Sequence, residues 1–326
     1  MSQQAPSLRH IELVAIINSF NRRELLEKAV ASLTQALRKA TFGSAIIVFE
    51  AGSNDGSMEF LKAWCEQNPS DNLIVITSSE GSSSFAEGVN TACLAALSRF
   101  PECRWLFLYE TDNWLGSIEP VDQAISLLNE QPRVAAVGFT VKRHNGVFCG
   151  YGMRFPSYLS LALGLNLTVR WNLDTPNQSP WQDTGNIRWR TCDVVFTSPL
   201  LIRREAWEQT RGFDAKAFPF SESDLDWAWR CAKLGWQMGV IESNAVVHDN
   251  LRQSSAWSAN RVVEFHRSRL RLLKRHRGGF VLIKPLLFLR HGVETIILSC
   301  KGPDPTAEEK LAKRRQMLRT VWTDYS

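Results

Sequence analysis

Short apolar runs alternate with helical patterns through the first half of the chain. The apolar runs are residues 11–19, 44–50, 73–77, 104–110 and 135–142, and the helical patterns are 24–37, 56–66 and 85–98. This alternation predicts an α/β fold with a mostly parallel central sheet flanked by helices. Because ligands of such sheets bind beyond the carboxyl ends of the strands, we expect functional residues directly after the apolar runs.

The charge distribution divides the chain into an acidic body and a basic tail. Residues 251–326 hold 16 Lys and Arg against 6 Asp and Glu, although the formal net charge of the whole chain is only +5. At 326 residues and 44% hydrophobic content, the chain is long enough to bury a substantial core. We predict a folded body over 1–250 and a basic, amphipathic helical region over 251–326.

The tail contains two helical segments of different composition. RVVEFHRSRLRLLKRH (261–276) is basic, and the apolar stretch after it is interrupted by Lys284, Pro285, Arg290 and His291. These interruptions argue against a membrane-spanning helix, which needs about 20 uninterrupted apolar residues. We expect residues 261–300 to lie on a membrane surface, to pack onto the body or to contact an oligomer partner. Nucleic acid is not an expected partner, because residues 269–277 lack interleaved aromatic side chains.

The N-terminus and the cysteines indicate the compartment. The first ten residues, MSQQAPSLRH, lack the charged and apolar regions of a secretory signal, so a cytoplasmic location is the default. The seven cysteines form no CxxC pair, which argues against a zinc site or a disulfide framework.

Two carboxylates follow the fourth apolar run, in YETDN (109–113). If the extended backbone continues, Glu110 and Asp112 point the same way, because residues two apart in a strand share a face. Paired carboxylates suit Mg²⁺ or Mn²⁺, ions that in turn bind phosphate oxygens. A turn is the alternative role for these acids. His248 follows another short apolar run and is a candidate imidazole ligand.

The stretch FSESDLDWAWRC (220–231) places two aspartates in a helical pattern that spans 222–235, with Ser221 or Ser223 as the N-cap. Asp226 precedes Arg230 by four residues, the favourable orientation for a helical ion pair, so we expect Asp226 to be structural. Asp224 lies on another face in the first turn. There the helix field keeps its carboxylate ionised and able to accept a proton from a hydroxyl, although helix capping is an equally compatible role.

Six stretches follow one another in a familiar order. They are NSFNR (18–22), FEAGSNDGS (49–57), SFAEGVNTA (84–92), YETDN (109–113), PLLIRREAWEQTRGFDAKAFPFSESDLDWAWRCAKLGW (199–236) and VVHDN (246–250). Together they resemble the motifs of family 2 glycosyltransferases with the GT-A fold, in particular the rhamnosyltransferase-like branch. The resemblance covers about 250 residues and makes 1–113 the nucleotide-binding half and 114–250 the acceptor half.

The resemblance implies an inverting, metal-dependent transfer of a sugar from a nucleotide-diphosphate donor to an acceptor hydroxyl. The acceptor would be a glycan or a lipid-linked sugar in cell-surface polysaccharide synthesis, at the cytoplasmic face of the membrane. The implied roles are nucleotide binding for Asn21, Glu50, Asp55 and Glu110, metal and diphosphate binding for Asp112, Glu110 and His248, catalytic base for Asp224, and support of the base for Asp226, Trp227 and Arg230.

The chain departs from the family pattern at several positions. Glu50 and Glu110 stand where an Asp is usual, Ser223 replaces the acid before the base, and Arg211 replaces a Gly. The replacement at Ser223 removes a like charge that would raise the pKa of the base. One extra residue precedes Asp224, which leaves Glu222 as an alternative base. A catalytically silent protein that uses the same fold for binding or assembly is the alternative function.

The middle segment, residues 171–189, is the expected acceptor region, because it lies between the metal and base motifs and contains Trp171, Trp181 and Trp189. Tryptophans stack on sugar rings but also pack into cores, and we expect packing for at least one of the three.

Overall fold

The apolar runs form the strands of one large sheet. A computed structural model describes residues 10–78, 84–143, 145–171, 179–248, 259–300, 312 and 315–316. Its strands are β1 Ile11–Ser19, β2 Gly43–Glu50, β3 Leu73–Thr77, β4 Trp105–Leu108, β5 Asn113–Leu115, β6 Val134–Phe139, β7 Val141–Lys142, β8 Phe148–Cys149, β9 Gln182–Thr184, β10 Ile187–Cys192, β11 Leu200–Arg203, β12 Gln237–Ile241 and β13 Val246–His248.

Nine helices occur in the described part of the chain. They are α1 Arg23–Leu37, α2 Ser57–Gln67, α3 Phe85–Arg99, α4 Glu119–Glu130, α5 Tyr158–Arg170, α6 Arg204–Thr210, α7 Ser223–Lys233, α8 Ala259–Arg277 and α9 Phe280–Ser299, with a short 3-10 helix at Pro69–Asp71. None of the described helices is long and apolar enough to cross a membrane.

The large sheet has the order β3-β2-β1-β4-β11-β6-β12-β10-β9. The pairings make seven of these nine strands run in one direction, while β10 and β11 run against it. The prediction of a mostly parallel α/β sheet is therefore confirmed. A second sheet, β5-β13-β7-β8, lies beside it and pairs His248 directly with Asn113.

The core lies on both faces of the large sheet, because alternate residues of each strand point to opposite sides. On β1, Val14 and Ile16 face the core shared with α3, α6, α7 and α8. Leu13, Ala15 and Ile17 face the core shared with α1, α2 and α4. This double covering explains why the predicted strands are almost continuously apolar.

The carboxyl ends of β2, β1 and β4 lie side by side, and the first residue of the antiparallel strand β11 pairs with Leu108 at the same edge. Helix α3 approaches this edge closely, since the Asn18 side chain donates to the Phe85 carbonyl at 3.3 Å. The Ala86 N–H donates to the Pro219 carbonyl at 3.0 Å, which joins α3 to the segment before α7. The sheet edge, α3 and α7 therefore enclose one region.

Gly88 makes the close approach of α3 to the sheet possible, because a Cβ there would lie 2.6 Å from Asn18 Oδ1 and 2.8 Å from a Phe49 ring carbon. We expect Gly88→Ala to lower the free energy of unfolding by about 1–3 kcal/mol through overpacking. Gly292 in α9 is the matched control, because a Cβ there would meet no atom of the described residues within 4 Å. Gly292→Ala should stabilise by up to about 1 kcal/mol through helix propensity. Equal effects in urea titrations would contradict this packing.

Candidate active site

Asn21, Glu50 and Asp55 join the two loops that follow β1 and β2. The Asn21 N–H donates to Ser53 Oγ at 2.8 Å, and Asn21 Oδ1 accepts from the Asn54 N–H at 2.9 Å. Buried Glu50 accepts the N–H groups of Gly52 and Ser53 at 3.0 and 2.8 Å. The side chains of Asn21 and Glu50 therefore stabilise the loops at the predicted nucleotide site through hydrogen bonds.

Asp55 completes the same loop pair. It accepts the Arg23 N–H at 2.8 Å and the Ser57 hydroxyl at 2.6 Å. Burial opposes ionisation, but these hydrogen bonds outweigh it and lower the pKa of Asp55. Asp55 is therefore an anion that fixes the starts of α1 and α2 against each other.

Glu110 and Asp112 are brought together by a turn and not by a strand. β4 ends at Leu108, and the Asn113 N–H donates to the Glu110 carbonyl at 3.0 Å. The prediction of a continued extended backbone was therefore wrong, although the two carboxylates still lie close together. Burial and the charge of Asp112 raise the pKa of Glu110, while the Thr197 hydroxyl donates to Glu110 Oε1 at 2.6 Å.

Arg22 and His248 flank the Asp112 carboxylate. Arg22 Nη1 lies 3.4 Å from Asp112 Oδ2. His248 Nδ1 lies 3.5 Å from Asp112 Oδ1 and 3.1 Å from Asn113 Oδ1. Within the described residues, no three His, Cys, Asp or Glu side chains are arranged to hold a metal ion. The predicted ligands thus share one corner of the sheet edge, and their metal-binding role stays a prediction.

Asp224 lies in the first turn of α7, where its Oδ1 accepts the Leu225 N–H at 3.0 Å. The side chain keeps some solvent exposure but is surrounded by protein. Burial, then the charge of Glu222 and more weakly that of Glu110, raise the pKa of Asp224 to about 7. The expectation that the helix field keeps Asp224 ionised was therefore wrong, because burial and like charges outweigh that field.

Glu222 is held by an arginine from the C-terminal helix. Arg269 Nε and Nη2 donate to the two Glu222 carboxylate oxygens at 2.8 and 3.0 Å. Burial raises the pKa of Glu222, and Arg269 opposes that rise. The structure thus commits both oxygens of the alternative base to Arg269. Glu222 is also the N-cap residue of α7, and its side chain makes no capping hydrogen bond. The assignment of the N-cap to Ser221 or Ser223 was therefore wrong.

Asp226, Trp227 and Arg230 fix α7 to its surroundings. Arg230 Nε donates to fully buried Asp226 at 2.7 Å, as the four-residue spacing predicted, and Arg230 Nη2 donates to the Gly212 carbonyl at 2.7 Å. The indole N–H of buried Trp227 donates to Thr210 Oγ1 at 2.7 Å. Asp226 and Arg230 therefore form the structural pair that their spacing predicted, and Trp227 packs beside them; support of the base by these residues stays a prediction.

The basic helix α8 contributes residues that the sequence did not assign to the site. His276 Nε2 lies 2.8 Å from Asp226 Oδ1, and Arg275 Nη1 donates to Asp214 Oδ2 at 2.6 Å. Burial alone would raise the pKa of Asp226, but the bonds from His276 and Arg230 lower it. Positive charges in 269–277 and acids around 222–226 were the signal for these contacts. Packing onto the body, one of the settings expected for 261–300, is therefore what α8 shows.

Three non-glycine residues near the site adopt left-handed backbone conformations. They are Asn21 (φ 49°), Arg211 (φ 59°) and Glu222 (φ 66°). Such conformations carry strain in side-chain-bearing residues and are common at functional sites. Arg211 stands where the family motif has glycine, so the chain keeps the turn without the residue that favours it.

The three tryptophans of the middle segment have different environments. Trp189 is buried in the core, Trp171 is exposed, and the Arg190 guanidinium lies 4.7 Å from the ring centre of Trp181. Packing of at least one of them is therefore confirmed. Residues 172–178 lie outside the described part of the chain.

A cavity of about 650 Å³ lies at the opposite edge of the sheet, where Ile11, Leu73 and Phe100 line it. None of the predicted site residues belongs to its lining. The carboxylates at the carboxyl edge remain the better candidate for chemistry, because the position follows the rule for α/β sheets and the groups have perturbed pKa values.

The sheet order, the α7 motif and the acids after β4 define the GT-A fold of glycosyltransferases, which confirms the fold predicted from the sequence. The mannosyltransferase PcManGT from Pyrobaculum calidifontis, in complex with GDP-Man and Mn²⁺, has a TM-score of 0.55 and 14% identity, with 97% of this chain and 88% of that chain covered. S. aureus TarS 1–349 in complex with UDP-GlcNAc has a TM-score of 0.54 and 16% identity, with 97% and 91% covered.

A curated protein is similar to this chain in sequence. The N-acetylglucosaminyl-diphospho-decaprenol L-rhamnosyltransferase of Mycobacterium tuberculosis is 24% identical over 269 residues, which are 78% of this chain and 81% of that protein. No family model matches the chain. The resemblance to rhamnosyltransferase-like enzymes is thus confirmed by a relative along most of the chain.

The ion pair between Glu222 and Arg269 predicts a measurable coupling. Arg269→Met should lower the free energy of unfolding by about 3–5 kcal/mol, because it leaves a buried carboxylate without its partner. The double variant Arg269→Met with Glu222→Gln should recover most of that loss. Lys274→Met, at an exposed position of the same helix, is the matched control. Additive effects in a denaturant double-mutant cycle would refute the coupling.

Proposed function

We propose that the protein is an inverting glycosyltransferase that moves a sugar from a nucleotide-diphosphate donor to an acceptor hydroxyl. The observation that supports this proposal is that the loops after β1, β2 and β4 and the segment before α7 adjoin one edge of the sheet. Helix α3 bonds to both parts, because the Phe85 carbonyl accepts from Asn18 and the Ala86 N–H donates to the Pro219 carbonyl. The charge of Glu110 contributes to the raised pKa of Asp224, after burial and the charge of Glu222, in agreement with this placement. A direct displacement at a diphosphate sugar requires a base and a diphosphate site in one cleft.

Asp224 is the proposed general base. As the acceptor oxygen attacks, its bond to the anomeric carbon forms, the bond from that carbon to the diphosphate oxygen breaks, and the hydroxyl proton passes to Asp224. A pKa of about 7 suits this role, because a base is most effective when its pKa lies near the working pH. Attack opposite the leaving group inverts the anomeric carbon.

The donor and acceptor classes are proposed from the relatives. The structural neighbours are complexes with GDP-Man and UDP-GlcNAc, and the curated relative is named for a diphospho-decaprenol acceptor. We assign the donor nucleotide to the region of Asn21, Glu50 and Asp55. The acceptor is assigned to the half that follows residue 113, with a lipid-linked sugar in cell-surface glycan synthesis as the class. The enzyme would work at the cytoplasmic face of the membrane.

A divalent cation is part of the proposal. Burial and then the charge of neighbouring Asp112 raise the pKa of Glu110, and a cation between the two carboxylates would relieve both effects, so this pair of oxygen donors fits a divalent cation. Asp112 and Glu110 would hold Mn²⁺ or Mg²⁺ beside His248, with the remaining ligands from the diphosphate and water. When bound, the ion neutralises charge on the departing diphosphate. Arg22, beside Asp112, adds a positive charge to the same place.

Replacement of Asp224 tests the proposed base. Asp224→Asn should lower kcat about 10²- to 10⁴-fold, because the proton acceptor is lost, while donor binding is retained. The measurement is release of the nucleoside diphosphate from a panel of nucleotide sugars. Glu222→Gln is the companion variant: if it abolishes turnover and Asp224→Asn does not, Asp224 is not the base and Glu222 takes its place. Binding of a nucleotide sugar by the parent without any release of nucleoside diphosphate would support the silent binding function.

The pH dependence of activity and the pH dependence of stability are two further tests of the role of Asp224. The parent's kcat/KM should rise through pH about 7 as Asp224 ionises. The raised pKa also means that ionisation of Asp224 disfavours the folded state, so the free energy of unfolding falls as pH rises from about 4 to about 7. Asp224→Asn should therefore be more stable than the parent above pH 7, and the difference should vanish below pH 4. A constant difference across this range would contradict the burial of the charge.

Metal binding is tested apart from turnover. We expect Mn²⁺ to raise the Tm of the parent in the presence of a nucleoside diphosphate, by mass action on the folded state. Asp112→Asn should remove that increase, and EDTA should lower the parent's turnover. Asp183→Asn, an exposed aspartate on β9, is the control and should retain both effects. An undiminished Mn²⁺ shift in Asp112→Asn would exclude this carboxylate as a ligand.

A further inference from the structure

Helix α9 exposes a broad apolar face. Leu282 is 87% exposed, Ile296 is 65% exposed and Leu289 is 62% exposed. The other large exposed side chains of this helix are Val281, Leu286, Phe288, Val293 and Ile297. A contiguous apolar patch on a protein surface usually marks an interaction site.

The exposed face is not the face that packs on the protein. Leu282, Leu286, Leu289, Val293 and Ile296 are spaced by four and three residues, which puts them on one side of the helix. Leu287 and His291 are buried on the other side, where His291 Nε2 lies 3.2 Å from His266 Nε2 of α8. Internal packing therefore accounts for one side of α9 and leaves the outer one for a partner.

Helix α5 extends the apolar surface. It packs against α9, and Leu159, Leu167 and Trp171 at or near its ends are 53%, 37% and 56% exposed. Tryptophan and leucine together are typical of side chains that enter the boundary between lipid head groups and acyl chains. We call the exposed apolar side chains of α5 and α9 the α5–α9 face.

The helices that form and adjoin this face carry an excess of basic residues. The sequences of α5, α8 and α9 contain ten Lys and Arg against two Glu, although three α8 arginines pair with acids: Arg267 with Glu264, Arg269 with Glu222 and Arg275 with Asp214. Several of the guanidinium groups that turn inward bond to neutral carbonyls: Arg271 to Ala217, Arg277 to Pro156 and Arg290 to Leu161. A hydrogen bond to a carbonyl does not neutralise a guanidinium, so Arg271 and Arg277 add to the positive field around these helices, which attracts anions.

A second copy of the chain fits this face poorly. A two-fold interface would place the basic helices of both copies against each other. The positions that flank the apolar seam in paired helices, usually charged, are here Ile283, Pro285, Arg290, Gly292 and Ile297. Arg290 is the one charged residue among them, and its guanidinium is engaged with α5.

We propose that the α5–α9 face docks on the surface of an anionic phospholipid membrane, with the outer side of α9 in the plane of the interface. Burial of the exposed leucines and isoleucines supplies the apolar part of the binding, and the basic residues of α5 and α9, with the field of Arg271 and Arg277 of α8, supply the electrostatic part. A membrane surface was one of three settings expected for 261–300; the structure assigns membrane contact to α9 and adds α5, while α8 faces the body.

The same arrangement connects the membrane to the candidate active site, and this part rests on the proposed function. Helix α8 contacts α9 through His266 and contacts Glu222, two residues before the base, through Arg269. A membrane-bound α9 would hold the base at a fixed distance from the bilayer. A lipid-linked acceptor could then reach the site without leaving the membrane.

Vesicle co-sedimentation of the full chain, without substrates, tests the proposal. We expect the parent to pellet with phosphatidylcholine vesicles that contain phosphatidylglycerol and to bind pure phosphatidylcholine vesicles more weakly. Binding to the anionic vesicles should weaken as the salt concentration rises. The combined variant Leu282→Gln, Leu289→Gln and Ile296→Gln should weaken binding about tenfold or more, because three apolar side chains are lost from the contact. Its melting temperature should match that of the parent, since all three positions are exposed.

Leu94→Gln is the matched control, because Leu94 is 71% exposed but belongs to α3. It should bind vesicles like the parent. Failure of the parent to bind anionic vesicles, or undiminished binding by the triple variant, would overturn the proposal. So would sedimentation of the parent as a dimer that the triple variant converts to a monomer, since a second copy would then cover the face. Release of the nucleoside diphosphate, measured without vesicles, separates a failure here from a failure of the proposed chemistry.

Discussion

The ion pair between Glu222 and Arg269 is the contact on which the geometry of the candidate site depends. Glu222 is buried and turns in the left-handed region, two residues before Asp224, so without its arginine it would carry both a charge penalty and backbone strain. The bidentate bond from Arg269 holds the carboxylate where the start of α7 requires it. The C-terminal helix is thereby a structural component of the site, although 47 residues separate the two partners.

The acids at the site form an electrostatic unit whose members are kept ionised or neutral by different surroundings. Asp226 and Asp55 have lowered pKa values because hydrogen bonds outweigh burial. Asp224 and Glu110 have raised pKa values because burial and neighbouring carboxylates outweigh the bonds they accept. The acids with lowered pKa values are the ones whose hydrogen bonds hold the loops and helices in place. Asp224 and Glu110, with raised pKa values, are the candidates for chemistry, because perturbed pKa values cluster at functional sites at a cost in stability.

The sequence predicted the strands of the body, the order of the motifs and the Asp226–Arg230 pair, because each depends on local periodicity or spacing. It failed where distant residues decide. The pKa of Asp224 is raised first by burial, which depends on the packing of segments distant in sequence, and then by the charge of Glu222. Glu110 and Asp112 converge through a turn after the strand has ended, and the Glu110 carboxylate is held by Thr197, 87 residues further along the chain. The partners of α8 could not be assigned, because a basic helix facing acids has the same composition as one facing solvent.

The division of the chain at residue 250 remains a prediction from composition, but the contacts of α8 change its physical meaning. The basic residues of the tail have two settings: Arg269 and Arg275 pair with the acids Glu222, Asp214 and Asp226 of the body, while Lys284 and Arg290 belong to α9 itself, the helix with the exposed apolar side. A tail that served only as a membrane anchor would not need the first set. A tail that served only as packing would not expose so much leucine and isoleucine. Both properties in one pair of helices favour a tail that completes the site and sets its orientation at a surface.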